Sequence, residues 1–154
     1  LASALNTDNG FYALKGPRLV GFLGFESKGN AYSDFNYRNL KQVFGFWKAA
    51  LVSVIWQLAA YRGLKPGQVL IDAFAVVEGQ RSQGIGTDLF EAFLDYAGQC
   101  GYGEVLLEVI DTNTRARKLY EGLGFKPVKV RKYFGLSPLL GFSSSITMSR
   151  KVQL

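Results

Sequence analysis

The chain has 154 residues, 48% of them hydrophobic and 19% charged, with a net charge of +6. That length suits one domain with a substantial core. It holds one cysteine and no histidine, which excludes an internal disulfide, a histidine base and a cysteine–histidine metal cluster, and leaves zinc without its usual ligands.

The basic charge suits either solubility or attraction of an anion. No basic run or nucleic-acid motif stands out, so nucleic acid is not an expected partner. No signal-peptide pattern opens the chain, and a cytoplasmic location is the default.

Residues 1–10, LASALNTDNG, read as the tail of a helix ending at Asn/Asp/Gly. Phe11 to Leu14 and Arg18 to Glu26 read as two strands turned by Gly16-Pro17. Residues 31–68 read as a hydrophobic helical insertion. Ser33 and Asp34 can cap its start, and Gly63 and Pro66 can end it. Val43 to Tyr61 is nearly all apolar, but Lys48, Gln57, Ser53 and Gly45 interrupt it, so no membrane span is expected. Core packing, a homodimer interface and the wall of an apolar acceptor pocket all fit this stretch.

Val69 to Val77 is an apolar run that reads as a strand buried on both faces. Strict alternation would put Leu70, Asp72, Phe74 and Val76 on one of them. The run leads through a polar turn into Arg81-x-x-Gly84-x-Gly86 and a helical pattern over 84–100. Strand, glycine turn and helix make an anion site, because a helix N-terminus offers unpaired N–H groups and partial positive charge. A P-loop would need Lys-Ser/Thr after Gly86, and a dinucleotide turn would need glycine at 89; the chain has Thr87-Asp88 and Leu89. In the helix, Ile85, Leu89, Phe93, Ala97 and Cys100 form an apolar stripe, with Cys100 as a small core residue. Asp88, Glu91 and Asp95 lie on the solvated side.

Glu104 to Ile110 reads as another strand, followed by a short helix capped by Asn113 or Thr114 and ended by Gly122 or Gly124. From Arg115 to Lys132 there are seven basic residues opposed only by Glu121. They form either a solvated face or a contact for a phosphate or an acidic acceptor. Phe125 to Tyr133 and Ser143 to Val152 read as closing strands around an apolar loop, 134–142.

Two segments, AVVEGQRSQGIGTDLFEAFLDYA and LLEVIDTNTRARKLYEGLGF, together resemble the GNAT superfamily of N-acetyltransferases over roughly residues 69–125. The first carries an Arg/Gln-x-x-Gly-x-Gly motif and the second an Asn…Leu-Tyr-Glu…Gly-Phe motif, in the family's order and spacing. The resemblance implies an α/β fold: a mixed, mostly antiparallel twisted sheet flanked by helices. It makes residues 1–154 a single acetyltransferase domain whose usual N-terminal strand and helix look cut short. It implies acetyl-CoA as co-substrate, no metal, and acetyl transfer to a primary amine by direct attack in a ternary complex. The acceptor would be an amine-bearing small molecule, peptide or protein. A non-catalytic acyl-CoA-binding module and an acyltransferase using a longer acyl chain stay open.

The same resemblance assigns roles. Backbone from Ala75 to Val77 would pair with the pantetheine arm, with an oxyanion donor near Val76 or Val77. The N–H groups of Gln83, Gly84, Ile85, Gly86 and Thr87 would hold the pyrophosphate, with the Arg81 side chain nearby, and Asn113 would contact the arm. Tyr120 would protonate the leaving thiolate, since a phenol can hydrogen-bond sulfur and release its proton. Two carboxylates compete as base. Glu108, twelve residues before Tyr120, is similar in placement to the glutamate of bacterial ribosomal-protein alanine acetyltransferases. Asp72 is a carboxylate in an otherwise apolar strand, which is costly without pairing or solvation.

Overall fold

The computed structural model describes residues 3–7, 9–27, 64–135 and 137–152. The expected apolar helix through Val43 to Tyr61 lies outside these residues. Among them, no helix is long and apolar enough to cross a membrane.

Seven strands form one sheet: β1 Ser3–Thr7, β2 Gly10–Lys15, β3 Arg18–Glu26, β4 Gln68–Val76, β5 Glu104–Ile110, β6 Lys126–Lys132 and β7 Ser144–Lys151. Their order is β1-β2-β3-β4-β5-β7-β6. Only β4 and β5 run parallel; the other neighbours are antiparallel. Helix α1, Ile85–Gln99, makes the crossover that a parallel pair requires. Helix α2, Thr114–Gly122, follows β5, and a single turn, α3, Ser137–Leu140, precedes β7.

Ser3–Thr7 is a strand rather than part of a helix tail. Ser3 to Thr7 pair with Leu14 to Gly10, so β1 and β2 form a hairpin with Asn9 in its turn. The β2–β3 turn falls at Gly16-Pro17 as expected, with Gly16 at φ 61°.

Helix α1 packs on one face of the sheet. Ile85, Leu89, Phe93 and Ala97 are buried as the periodicity predicts, and Phe90 and Leu94 widen the stripe. Cys100 is a correction: it sits exposed at the helix C-cap, past the last residue the sheet covers. The core is aromatic, with Phe93 tilted against Phe25 at 5.1 Å and edge-on to Phe11 at 5.8 Å between ring centres. Truncating Phe93 to Ala would cost about 3–5 kcal/mol. Gly21 allows the close approach of α1, because a Cβ there would lie 3.1 Å from Leu89 Cδ1 and 3.2 Å from the Ala75 carbonyl oxygen.

Two irregularities of β4 shape the site. First, β4 pairs with β5 over only four positions, from Gln68↔Glu104 to Ile71↔Leu107. A hydrogen bond of 2.6 Å from Gln68 Nε2 to Glu104 Oε2 ties the foot of this pair. Beyond Ile71, β4 continues with β3 and β5 continues with β7. The two parallel strands thus part, and the later residues of β4 keep an edge that no strand among the described residues covers.

Second, Gly24 pairs with Ala73 and Phe25 with Ile71, which leaves Asp72 as the extra residue of a β-bulge. A bulge reverses the alternation of faces. Val69 and Ile71 belong to the core under α1, and so do Phe74 and Val76. Leu70 pairs with Glu26 on the opposite face. The expectation that Leu70, Asp72, Phe74 and Val76 share one face is therefore overturned, because strict alternation cannot cross an inserted residue.

Candidate active site

The parting of β4 and β5 opens a cleft of about 580 Å³ on the helix side of the sheet. Its floor is the end of β4, one wall is the turn into α1, and the other is α2. Of the residues expected to bind a coenzyme, Ala75, Val76, Arg81, Gly84, Ile85, Gly86, Thr87 and Asn113 line it, and so does Tyr120.

The N-terminus of α1 opens into this cleft. Its N-cap, Gly84, has φ 84° and supplies no side-chain cap, and the first helical bond is Asp88 N–H to the Gly84 carbonyl at 2.9 Å. The N–H groups of the first turn are thus left for a ligand. The two glycines have different reasons. Gly84 has the left-handed backbone that side chains resist. Gly86 has ordinary φ, but a Cβ there would meet Phe74 Cζ at 3.1 Å and Leu119 Cδ2 at 3.6 Å, so it lets α1 settle on the floor.

Arg81 folds back, with Nε donating to the Val76 carbonyl at 3.0 Å. Gln83 does not line the cleft; its Nε2 reaches the Gly79 carbonyl at 3.4 Å. Val77 is also outside the lining and half exposed, and its N–H donates to the Val20 carbonyl at 2.9 Å. Asn113 caps α2, its Oδ1 accepting from Ala116 N–H at 3.2 Å. Tyr120 is buried among Phe90, Phe125 and Phe74, with ring centres 5.4, 6.3 and 6.5 Å away. Burial pushes its phenol up to about 12, so it is a protonated donor throughout the neutral range.

Neither carboxylate lines the cleft. Val105, Leu107 and Val109 belong to the core on the helix side, so Glu108 projects from the opposite face. There it accepts from Thr147 Oγ1 at 3.3 Å. Burial raises its pKa above the usual carboxylate range, while Arg131, the Thr147 hydroxyl and Lys129 pull it down. Asp72 lies beside Glu26, whose own carboxyl is raised by burial and by the Asp72 charge. The glycine turn and Tyr120 are thus brought together, and Glu108 stands across the sheet from them.

Phe74, Gln80, Ser82, Ala116 and Leu119 also line the cleft without having been expected there. Ala116 and Leu119 were discoverable, since Asn113, Ala116 and Tyr120 recur at helical spacing. Phe74 was hidden by the bulge. Among the described residues, no group of His, Cys, Asp and Glu side chains is placed to hold a metal ion.

A family model described as acetyltransferase (GNAT) matches residues 3–125. The chain belongs to the GNAT family. A curated relative, "Probable N-acetyltransferase camello" of Xenopus laevis, is 32% identical over 83 residues, 53% of this chain. The match spans 38% of the length of that relative. Among solved structures, the ribosomal-protein-S18-alanine N-acetyltransferase from Escherichia coli superposes with a TM-score of 0.62 at 18% identity, over 98% of this chain and 70% of its own. A Bacillus anthracis acetyltransferase crystallised with acetyl coenzyme A superposes at 0.61 with 16% identity, over 97% of this chain and 65% of its own. At those identities the likeness is one of fold. It bears out the mixed, mostly antiparallel sheet that the two motifs implied.

Proposed function

We propose that the protein is an acetyl-CoA-dependent N-acetyltransferase acting on a primary amine. The observation that carries this reading is the uncapped N-terminus of α1 and the Tyr120 phenol in one cleft, with the edge of β4 that no strand among the described residues covers between them. The cleft fits the co-substrate chemically. Free N–H groups and the helix dipole suit a pyrophosphate, and an exposed strand edge suits the amide-bearing pantetheine arm. When bound there, acetyl-CoA would supply an activated acetyl thioester.

The chain's own residues then divide the work. The first-turn N–H groups of Ile85, Gly86 and Thr87, with the Gly84 turn, hold the phosphates. Ala75 and Val76 hold the arm. The N–H of Val76 serves as oxyanion donor. Successive strand amides point to opposite edges, and Val77 N–H is already spent on Val20. Tyr120 gives its proton to the departing thiolate. Glu108 receives the amine's proton from the far side of the sheet, directly or through a water. The widening gap between β4 and β5 lets the two faces meet. A carboxylate raised by burial is a better base near neutrality than an ordinary one. Asp72, at the mouth of the same gap, is the rival base, and replacing each carboxylate singly separates them.

The first test is calorimetric titration of acetyl-CoA, with dephospho-CoA alongside, followed by release of free CoA across a panel of amines. Micromolar or tighter binding and amine-dependent release are expected. A folded sample that binds no coenzyme overturns the reading.

A further inference from the structure

Ser82 has φ 61° and is the only non-glycine residue with positive φ among the described residues. Such a backbone costs on the order of 1–2 kcal/mol for a side-chain-bearing residue and persists where its surroundings impose it. The turn around it is tied down by side chains. Two ties are local: Arg81 to the Val76 carbonyl at 3.0 Å and Gln83 to the Gly79 carbonyl at 3.4 Å. The third comes from another element. Arg115 Nη2, in the first turn of α2, donates to Ser82 Oγ at 3.0 Å.

Arg115 is itself badly placed for its own helix. A cation in the first turn opposes the helix dipole by about 0.3–1 kcal/mol, and α2 has no acidic residue there to offset it. The strained serine and the misplaced cation meet across the cleft, and both line it.

We propose that Arg115 is a positioning residue for the coenzyme: by holding Ser82, it keeps the glycine turn in the shape that aims the N–H groups of α1 into the cleft. This rests on the acyl-CoA reading of the cleft. It also couples the helix that carries Tyr120 to the turn that holds the phosphates.

Calorimetric titration of acetyl-CoA into the wild type, R115M and R115M/S82G tests it, with thermal unfolding to confirm that each variant is folded. R115M should bind about fivefold more weakly, the worth of one modest hydrogen bond. Adding S82G should restore most of the affinity, because glycine reaches positive φ without a tether. Unchanged binding by R115M overturns the proposal. So does a double variant as weak as R115M, since glycine at 82 cannot replace a direct contact between Arg115 and a phosphate. A wild type that binds no coenzyme overturns the cleft reading and this inference together.

Discussion

The N–H of Val77 donates to the Val20 carbonyl at 2.9 Å, and this bond decides which amide at the end of β4 faces away from β3. Because neighbouring amides point to opposite edges, the Val76 N–H is turned towards the gap where β5 has parted from β4. Replacing Val76 by its α-hydroxy acid, which exchanges the N–H for an ester oxygen, should slow acetyl transfer about 100-fold with little change in Tm. The same exchange at Val77 should spare transfer and cost about 1 kcal/mol of stability. Single-turnover rates and melting curves of the two semisynthetic proteins check this; equal effects on transfer would remove Val76 as the donor.

The two glycines of the turn should fail in different ways. Gly84→Ala imposes a left-handed backbone on a side chain and should destabilise by about 1 kcal/mol while weakening acetyl-CoA binding. Gly86→Val drives branched carbons into Phe74 and Leu119 and should cost more, about 1–3 kcal/mol, with loss of the coenzyme site. Urea unfolding and calorimetry on both variants separate backbone strain from overpacking.

Tyr120→Phe keeps the ring among Phe90, Phe125 and Phe74 and removes only the hydroxyl. Turnover should fall about 100-fold while the Kd for acetyl-CoA stays within about twofold. With the phenol near 12, the wild-type rate should show no downturn from Tyr120 across the neutral range. A normal rate in the Phe variant would take Tyr120 out of the chemistry.

Glu108 carries a stability signature that its role can be tested against. Its folded pKa is raised above 4.5, chiefly by burial. The ionised form is thus disfavoured by folding. That cost is fully present above the folded pKa and vanishes below 4.5. Glu108→Gln should therefore raise Tm at neutral pH, with the gain fading as pH falls through the raised folded pKa and gone below 4.5, and should lower turnover about 100-fold. Melting curves against pH and amine-dependent CoA release read the two effects. A variant with full activity would leave Glu108 a structural residue and move the role of base to Asp72.

The local features of this protein were legible in the chain. Glu104 to Ile110 is rich in Val, Leu and Ile and is bounded by turn residues, so its limits as a strand could be read directly. Asn113 is a capping residue at the start of a helical period, and it does cap α2. The glycine turn before α1 and the Tyr120 stripe are motifs with fixed spacing, and they carried the family. Each depends on contacts within a few residues. The opening hairpin, by contrast, was misread because β1 is a strand only by virtue of pairing with β2. Cys100 continued the helical stripe and is nonetheless exposed, since the sheet ends before it. The bulge at Asp72 arises from how β4 meets β3, and it moves Phe74 and Val76 under α1. The placement of Glu108 across the sheet from Tyr120 follows from the register of three strands. Sequence specified which groups could do the chemistry, because motif and capping are local. Tertiary structure decided which face each group occupies, because a face is set by strand partners far away in the chain.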